Sequence, residues 1–307
     1  MAFALATIAQ AGGPTACIEA DGKLWPIAAT AEACSIDGLR PRGLIDLFED
    51  WSESFVQLTR LAARLVSAPP GLAIDAAAVD AAGGRLTPLQ YPGKVLCAGA
   101  NYYDHIAEMG VTDTRKEAQR LFFFFKPPRN ALVGPGATVR KPKASQMFDW
   151  EVELAAVIGR RVKDVAEDQA LAAVAAYAVA IDLSARDLNQ APNTFYKLDW
   201  VAGKGNDTCC PLGPRLVPAA FISDPQNLRL ALAVNGAPKQ DGRTSGMIFS
   251  IAEQIATLSR IMTLDPGDVI LTGTPAGVGF PKRSFLAVGD KVDAEIAEIG
   301  KLSVEIT

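Results

Sequence analysis

The segment Phe148-Asp149-Trp150-Glu151-Val152-Glu153-Leu154 places a carboxylate at every second position. In an extended strand alternate side chains point to opposite faces. Asp149, Glu151 and Glu153 then share one face, and Phe148, Trp150, Val152 and Leu154 share the other. Like charges this close repel. Either that face is solvated or a cation sits over it, and carboxylate oxygens are hard ligands that suit Mg²⁺, Mn²⁺ or Ca²⁺. Asp182 follows the apolar run Ala178 to Ile181. It is either a turn or N-cap aspartate, or the third carboxylate of a site with Glu151 and Glu153 that leaves positions open for water and substrate.

The chain has one histidine, His105, within Asn101-Tyr102-Tyr103-Asp104-His105-Ile106-Ala107-Glu108. On a helix His105 and Glu108 share a face and can hydrogen-bond. A carboxylate that fixes the imidazole tautomer makes it a better general base, although a lone histidine is as readily structural. Thr272-Gly273-Thr274-Pro275-Ala276-Gly277-Val278-Gly279 follows an apolar run. It lacks the ending of a P-loop and the spacing of a dinucleotide fingerprint, which argues against a nicotinamide dehydrogenase. It is either a plain tight turn or a loop that brings backbone N–H groups and a hydroxyl to a ligand. Lys126, Arg186 and Lys204 are candidate carboxylate binders, although most lysines and arginines lie on surfaces.

Elements must hold these groups in place. Lys94 to Gly99, Leu154 to Ile158, Tyr177 to Ile181 and Val269 to Thr272 read as buried strands, and Leu228 to Asn235 as a strand ending in an Asn235-Gly236 turn. Ser250 with Glu253 caps a helix whose Ile251, Ile255, Leu258 and Met262 form one face. Asp164 with Glu167 predicts a second capped helix through the alanine-rich stretch that follows. Upstream, Leu5 to Ile27 reads as two short strands around Gly12-Gly13-Pro14, with a second turn at Asp21-Gly22. Leu44, Phe48, Trp51, Phe55 and Leu58 make one helical stripe. Residues 68 to 93 show little periodicity and several Pro and Gly. They place a boundary near residue 90, between an N-terminal accessory unit (1–90) and a catalytic unit (91–307).

At 307 residues, 49% hydrophobic and 21% charged, the chain has the composition of a globular protein with a sizeable core. A net charge of −4 argues against a broad nucleic-acid surface. No basic region precedes the apolar N-terminus, and the longest uncharged apolar stretch, Gln169 to Ile181, falls short of the roughly 20 residues a membrane span takes. Cys17, Cys34, Cys97, Cys209 and Cys210 fit neither a disulfide framework nor a zinc site, so the expectation is a reduced, cytoplasmic protein.

In order, these pieces resemble the fumarylacetoacetate hydrolase family. The resemblance rests on Gly99-Ala100-Asn101-Tyr102 with His105 and Glu108, Phe125-Lys126-Pro127, Asp149 to Leu154 with Val157-Ile158-Gly159, and Asp182 through Asp187. It continues through Gly203-Lys204, Pro211-Leu212-Gly213-Pro214, Val234-Asn235-Gly236 and Pro266-Gly267-Asp268 running to Gly279, and covers about residues 92 to 304. It implies an α+β, mainly β fold: the mixed β-sheet roll of the family's C-terminal domain with a small N-terminal accessory domain, acting as a homodimer. It implies that Glu151, Glu153 and Asp182 are ligands of Mg²⁺ or Mn²⁺, with Ca²⁺ an alternative occupant in crystals. His105 and Glu108 become the water-activating pair on a segment that can order as a lid, Lys204 meets the substrate oxygens, and Arg186, Thr274 and Lys126 are substrate contacts. Where the family often has Gln two residues after the Asp of Ser-Ala-Arg-Asp, this chain has Asn189 and then Gln190. Either the shorter amide substitutes or Gln190 reaches in by a local shift. The implied substrates are small 2-oxo or 2,4-dioxo acids of the kind produced in aromatic catabolism. The implied reaction is hydrolytic carbon–carbon cleavage, with isomerisation or decarboxylation as the alternative.

Overall fold

The computed structural model describes residues 2–307. One mixed sheet runs in the spatial order Ile74–Asp75, Lys23–Pro26, Gly13–Ala20, Ala4–Gln10, Cys210–Pro218, Val174–Ile181, Val152–Ile158, Val269–Leu271, Val95–Gly99 and Phe122–Phe125, with Leu132–Val133 beside Cys210–Pro218. A five-stranded sheet packs against it, in the order Ala237–Arg243, Arg229–Val234, Lys291–Ile296, Gly300–Ile306 and Thr138–Val139. This is the mixed, mainly β, α+β architecture the sequence implied.

The central strand Val152–Ile158 is buried along its whole length. Val152, Leu154, Ala156 and Ile158 join one core with Leu230, Leu232 and Val292 of the five-stranded sheet and with Ile251, Ile255 and Leu258 of the helix Ile251–Ile261. Ala155 and Val157 join a second core with Leu58 and Leu61 of the helix Trp51–Arg64. A strand covered on both faces reads as a continuous apolar run rather than an alternating one.

Several local expectations need correction. The alanine-rich stretch after Asp164 is not a capped helix. Asp164 takes a φ of 52°, the helix is confined to Glu167–Ala170, and the alanines enter the strand Val174–Ile181. Ala176, Ala178 and Ala180 face the second core, where small side chains let the helix layer approach closely, so tertiary packing overrides helix propensity. The stripe from Leu44 to Leu58 breaks into a 3-10 turn, Leu44–Phe48, and a helix whose N-cap, Asp50, accepts from Glu53 N at 3.1 Å. The N-terminal strands number three rather than two, because the Asp21-Gly22 turn starts Lys23–Pro26. Residues 68–93 hold a short helix, Ala76–Ala81, capped by Asp75.

Strands on the two sides of residue 90 share one sheet: Leu5 pairs with Leu216. A buried Glu19 beside that seam binds Arg85 at 2.7 Å and Arg215 at 3.0 Å. Cys17, Cys97, Cys209 and Cys210 are buried free thiols. Among the described residues no helix is long and apolar enough to cross a membrane.

Candidate metal centre and catalytic site

Strand direction brings the polar groups together. Val95–Gly99 and Val269–Leu271 are parallel, so their following loops leave the sheet side by side. Val152–Ile158 runs antiparallel to Val269–Leu271 and starts at that end, and Val174–Ile181 finishes there. The pairing of Val152 with Ile181 continues one step as Asp182 N donating to Glu151 O at 2.9 Å. Glu151 and Asp182 thus lie opposite each other, with Glu153 two residues along on the same face. Carboxylate oxygens of all three come within 4.8 Å of one another.

All three acids are buried, which removes the solvated-face reading of the alternating segment. The strand also breaks at Trp150–Glu151, so Asp149 does not join the cluster. Asp149 accepts from Gly279 N at 2.7 Å and Phe280 N at 3.0 Å, and holds the Arg186 guanidinium at 3.0 Å. Arg186 reaches on to Glu151 at 2.5 Å. Lys204 Nζ lies 2.7 Å from Glu151 Oε2 and 2.7 Å from Asp182 Oδ2. It ends the short helix Trp200–Lys204, capped by Asp199. The preceding Gly203 is required there, since a Cβ would lie 2.4 Å from that of Asn189.

Four buried carboxylates (Asp149, Glu151, Glu153, Asp182) thus face three cations, the buried Lys126 and Lys204 and the partly buried Arg186, and the unmatched one is Glu153. Its Oε2 accepts from Gly273 N at 2.6 Å, and no cationic side chain among the described residues lies within salt-bridge distance. Burial, then the Asp182 and Glu151 carboxylates, push its carboxyl well above the usual range. Burial would also raise Glu151, but Arg186 and Lys204 outweigh it and hold that group low. Three hard oxygen donors with one uncompensated charge fit a divalent cation.

His105 sits on the helix Tyr103–Glu108, its Nδ1 2.9 Å from Glu108 Oε1. Asn101 ties this segment to the glycine-rich loop. Its amide donates to Thr272 O at 2.9 Å and to Phe249 O at 3.0 Å.

A cavity of about 340 Å³ joins His105, Glu151, Glu153, Asp182, Arg186, Lys204, Asn189, Gln190 and Thr274. Glu108 stands behind the imidazole. Lys126 is a correction, because it does not line the cavity. Fully buried, it donates to Leu183 O, Lys204 O and Cys209 O at 2.8–2.9 Å and pairs with Asp182 Oδ1 at 2.7 Å. It holds Asp182 in place rather than meeting substrate. The glycine-rich loop also differs from expectation. Its N–H groups bind protein carboxylates: Gly273 holds Glu153, Gly277 and Val278 hold Glu108, and Gly279 holds Asp149. Thr274 Oγ1 donates to Val152 O at 2.8 Å and accepts from Gln240. Buried Gln240, which also accepts from Val152 N at 2.9 Å, carried no sequence signal, since it arrives from a distant strand.

The sequence model of the fumarylacetoacetate (FAA) hydrolase C-terminal domain matches residues 94–307. A mitochondrial oxaloacetate tautomerase of Xenopus laevis is 43% identical over 220 residues, which is 71% of this chain and 66% of the relative. This chain therefore spans about two thirds of that relative. A fumarylpyruvate hydrolase of Pseudomonas aeruginosa, solved with Mn²⁺ and pyruvate, superposes with a TM-score of 0.64 at 33% identity over 72% of this chain and 91% of that one. A 2-hydroxyhepta-2,4-diene-1,7-dioate isomerase of Mycobacterium marinum superposes with a TM-score of 0.71 at 29% identity over 99% and 98% of the two chains.

Proposed function

Because the chain belongs to the fumarylacetoacetate hydrolase family, we propose that it is a metal-dependent hydrolase that cleaves a carbon–carbon bond in small 2,4-dioxo acids. The observation that carries this reading is the His105–Glu108 pair, 2.9 Å apart, on the cavity that holds the carboxylate trio. Glu151, Glu153 and Asp182 would hold Mg²⁺ or Mn²⁺, the latter seen in the Pseudomonas aeruginosa relative. When bound, such a cation supplies Lewis-acid stabilisation of charge on oxo-acid oxygens.

The chain's own residues supply the rest. Glu108 accepts from Nδ1–H of His105 and leaves Nε2 free to take a proton from water. The hydroxide adds to the far ketone. The bond between that carbon and its neighbour breaks, and its electron pair remains as an enolate, towards whose oxygen Lys204 presents its ammonium. The imidazolium returns the proton to the enolate carbon. A 2-oxo acid and a carboxylic acid leave, and atoms balance with one water consumed.

A second reading, enol–keto tautomerisation or decarboxylation of oxaloacetate-like acids, is favoured by the 43% identity to the Xenopus laevis tautomerase. It uses the trio and Lys204 without the hydrolytic water. The test follows the ultraviolet band of enolised acetylpyruvate and fumarylpyruvate with Mg²⁺, Mn²⁺ or EDTA while pyruvate is assayed. Metal-dependent loss of the band with one pyruvate per substrate supports the hydrolase. An unchanged band together with metal-dependent enol–keto conversion or CO₂ release from oxaloacetate moves the protein to the second reading. We further propose that it acts as a homodimer in the cytoplasm; sedimentation would check the oligomeric state.

A further inference from the structure

Resting on the oxo-acid reading above, we propose that this cavity selects acids whose distal end is uncharged and apolar, and rejects those that end in a second carboxylate. Every cation on its wall is already engaged. Lys204 serves Glu151 and Asp182, and Arg186 serves Asp149 and Glu151. Lys126 stands behind Asp182 and off the wall.

Beyond Lys204 the wall turns apolar. Its ammonium lies 5.0 Å from the centre of the Phe124 ring, Phe124 stacks on Trp200 at 5.2 Å, and Trp200 meets Phe122 at 5.0 Å. Ile106, Met109, Val111 and Leu198 add to the apolar lining of the same cavity. Asn189 and Gln190 also line it, and both are uncharged. An oxo-acid head can share Lys204 with the trio. A carboxylate at the far end of an extended acyl chain would be desolvated among aromatic rings with no cation to meet it, which is strongly unfavourable. An apolar end gains by the same burial. In a four-carbon diacid both carboxylates flank the oxo group, so such acids stay within the head group's reach.

The test titrates manganese-loaded protein calorimetrically with 2-oxohexanoate and 2-oxoadipate. These acids have equal chain length and differ in a terminal methyl against a terminal carboxylate. The expected result is binding of 2-oxohexanoate tighter by about tenfold or more. Val111 is 40% exposed, so Val111→Arg adds a cation to the wall at little risk to the fold. It should shift the ratio towards 2-oxoadipate by about tenfold. Equal or tighter binding of 2-oxoadipate by the unmodified protein overturns the inference while leaving the oxo-acid reading in place. An unchanged ratio in folded Val111→Arg overturns the role given to that wall. Failure of both acids to bind, with Mn²⁺ itself bound, overturns the oxo-acid reading and the inference with it.

Discussion

Asp182 is gripped from both sides, by Lys126 at 2.7 Å behind it and Lys204 at 2.7 Å in front, and the two lysines differ in what their loss should do. Lys126→Met leaves a buried carboxylate half-compensated and three carbonyls without a donor. Unfolding in urea should show a loss of about 3–5 kcal/mol, and a change below about 1 kcal/mol would refute the anchoring role. Glu153 is the opposite case, a group whose charge is costly until a cation arrives. In EDTA-treated protein Glu153→Gln should raise the melting temperature while Mn²⁺ affinity falls by at least roughly 100-fold. A lower melting temperature would mean that its charge is already matched. For His105→Asn, hydrolysis should drop about 10²–10⁴-fold while Mn²⁺ still binds, and full turnover would remove its role as base. That the carboxylate trio and the His105–Glu108 pair come together was legible because each member lies within a few residues of its partner or at a strand end. Lys126 was misplaced because a lysine in sequence gives no sign of whether it points at a cavity or at the back of an aspartate.

Elements were legible where local and tertiary preferences agree. Ser250 and Glu253 form the reciprocal cap foreseen for the helix Ile251–Ile261. Ser250→Ala should lower stability by about 1 kcal/mol with Mn²⁺ affinity unchanged, and a drop in metal affinity would show that this helix tunes the site. The Asn235-Gly236 turn likewise follows its sequence, with φ of 52° and 76°. Tyr177 to Ile181 was legible as a buried strand, but the alanines just before it, which begin the same strand at Val174, were illegible for the opposite reason. Alanine favours a helix in isolation, and only the two layers that cover the run make a strand of it. Gln240 shows the same limit, because the pairing of Leu232 with Gln240 and the approach of Thr274 are facts of tertiary structure.

For the whole molecule, the N-terminal strands extend the sheet that carries the site, and their helix covers the alanine face of the central strands. Removing residues 1–90 uncovers Ala155, Val157, Ala176, Ala178 and Ala180 together, an apolar patch that invites aggregation. The remaining chain should be insoluble or should lose cooperative unfolding, whereas a soluble, cooperatively melting product that binds Mn²⁺ would show that the catalytic unit is self-sufficient.

The glycine-rich loop holds carboxylates from three places. Two of them, Asp149 and Glu153, belong to a central stretch of buried chain, but Glu108 rides on the short helix that carries His105. Gly277 N at 2.9 Å and Val278 N at 3.4 Å are therefore covered by Glu108 only while that helix is docked. These two amides are built-in reporters of the histidine's residence in the cavity. Each undocking should expose them to deuterium, while Gly273 and Gly279 stay shielded by partners that do not leave. Exchange at Gly277 and Val278 should slow on addition of Mn²⁺ with pyruvate, and the change in rate would measure how often His105 and Glu108 stand apart from the carboxylate trio.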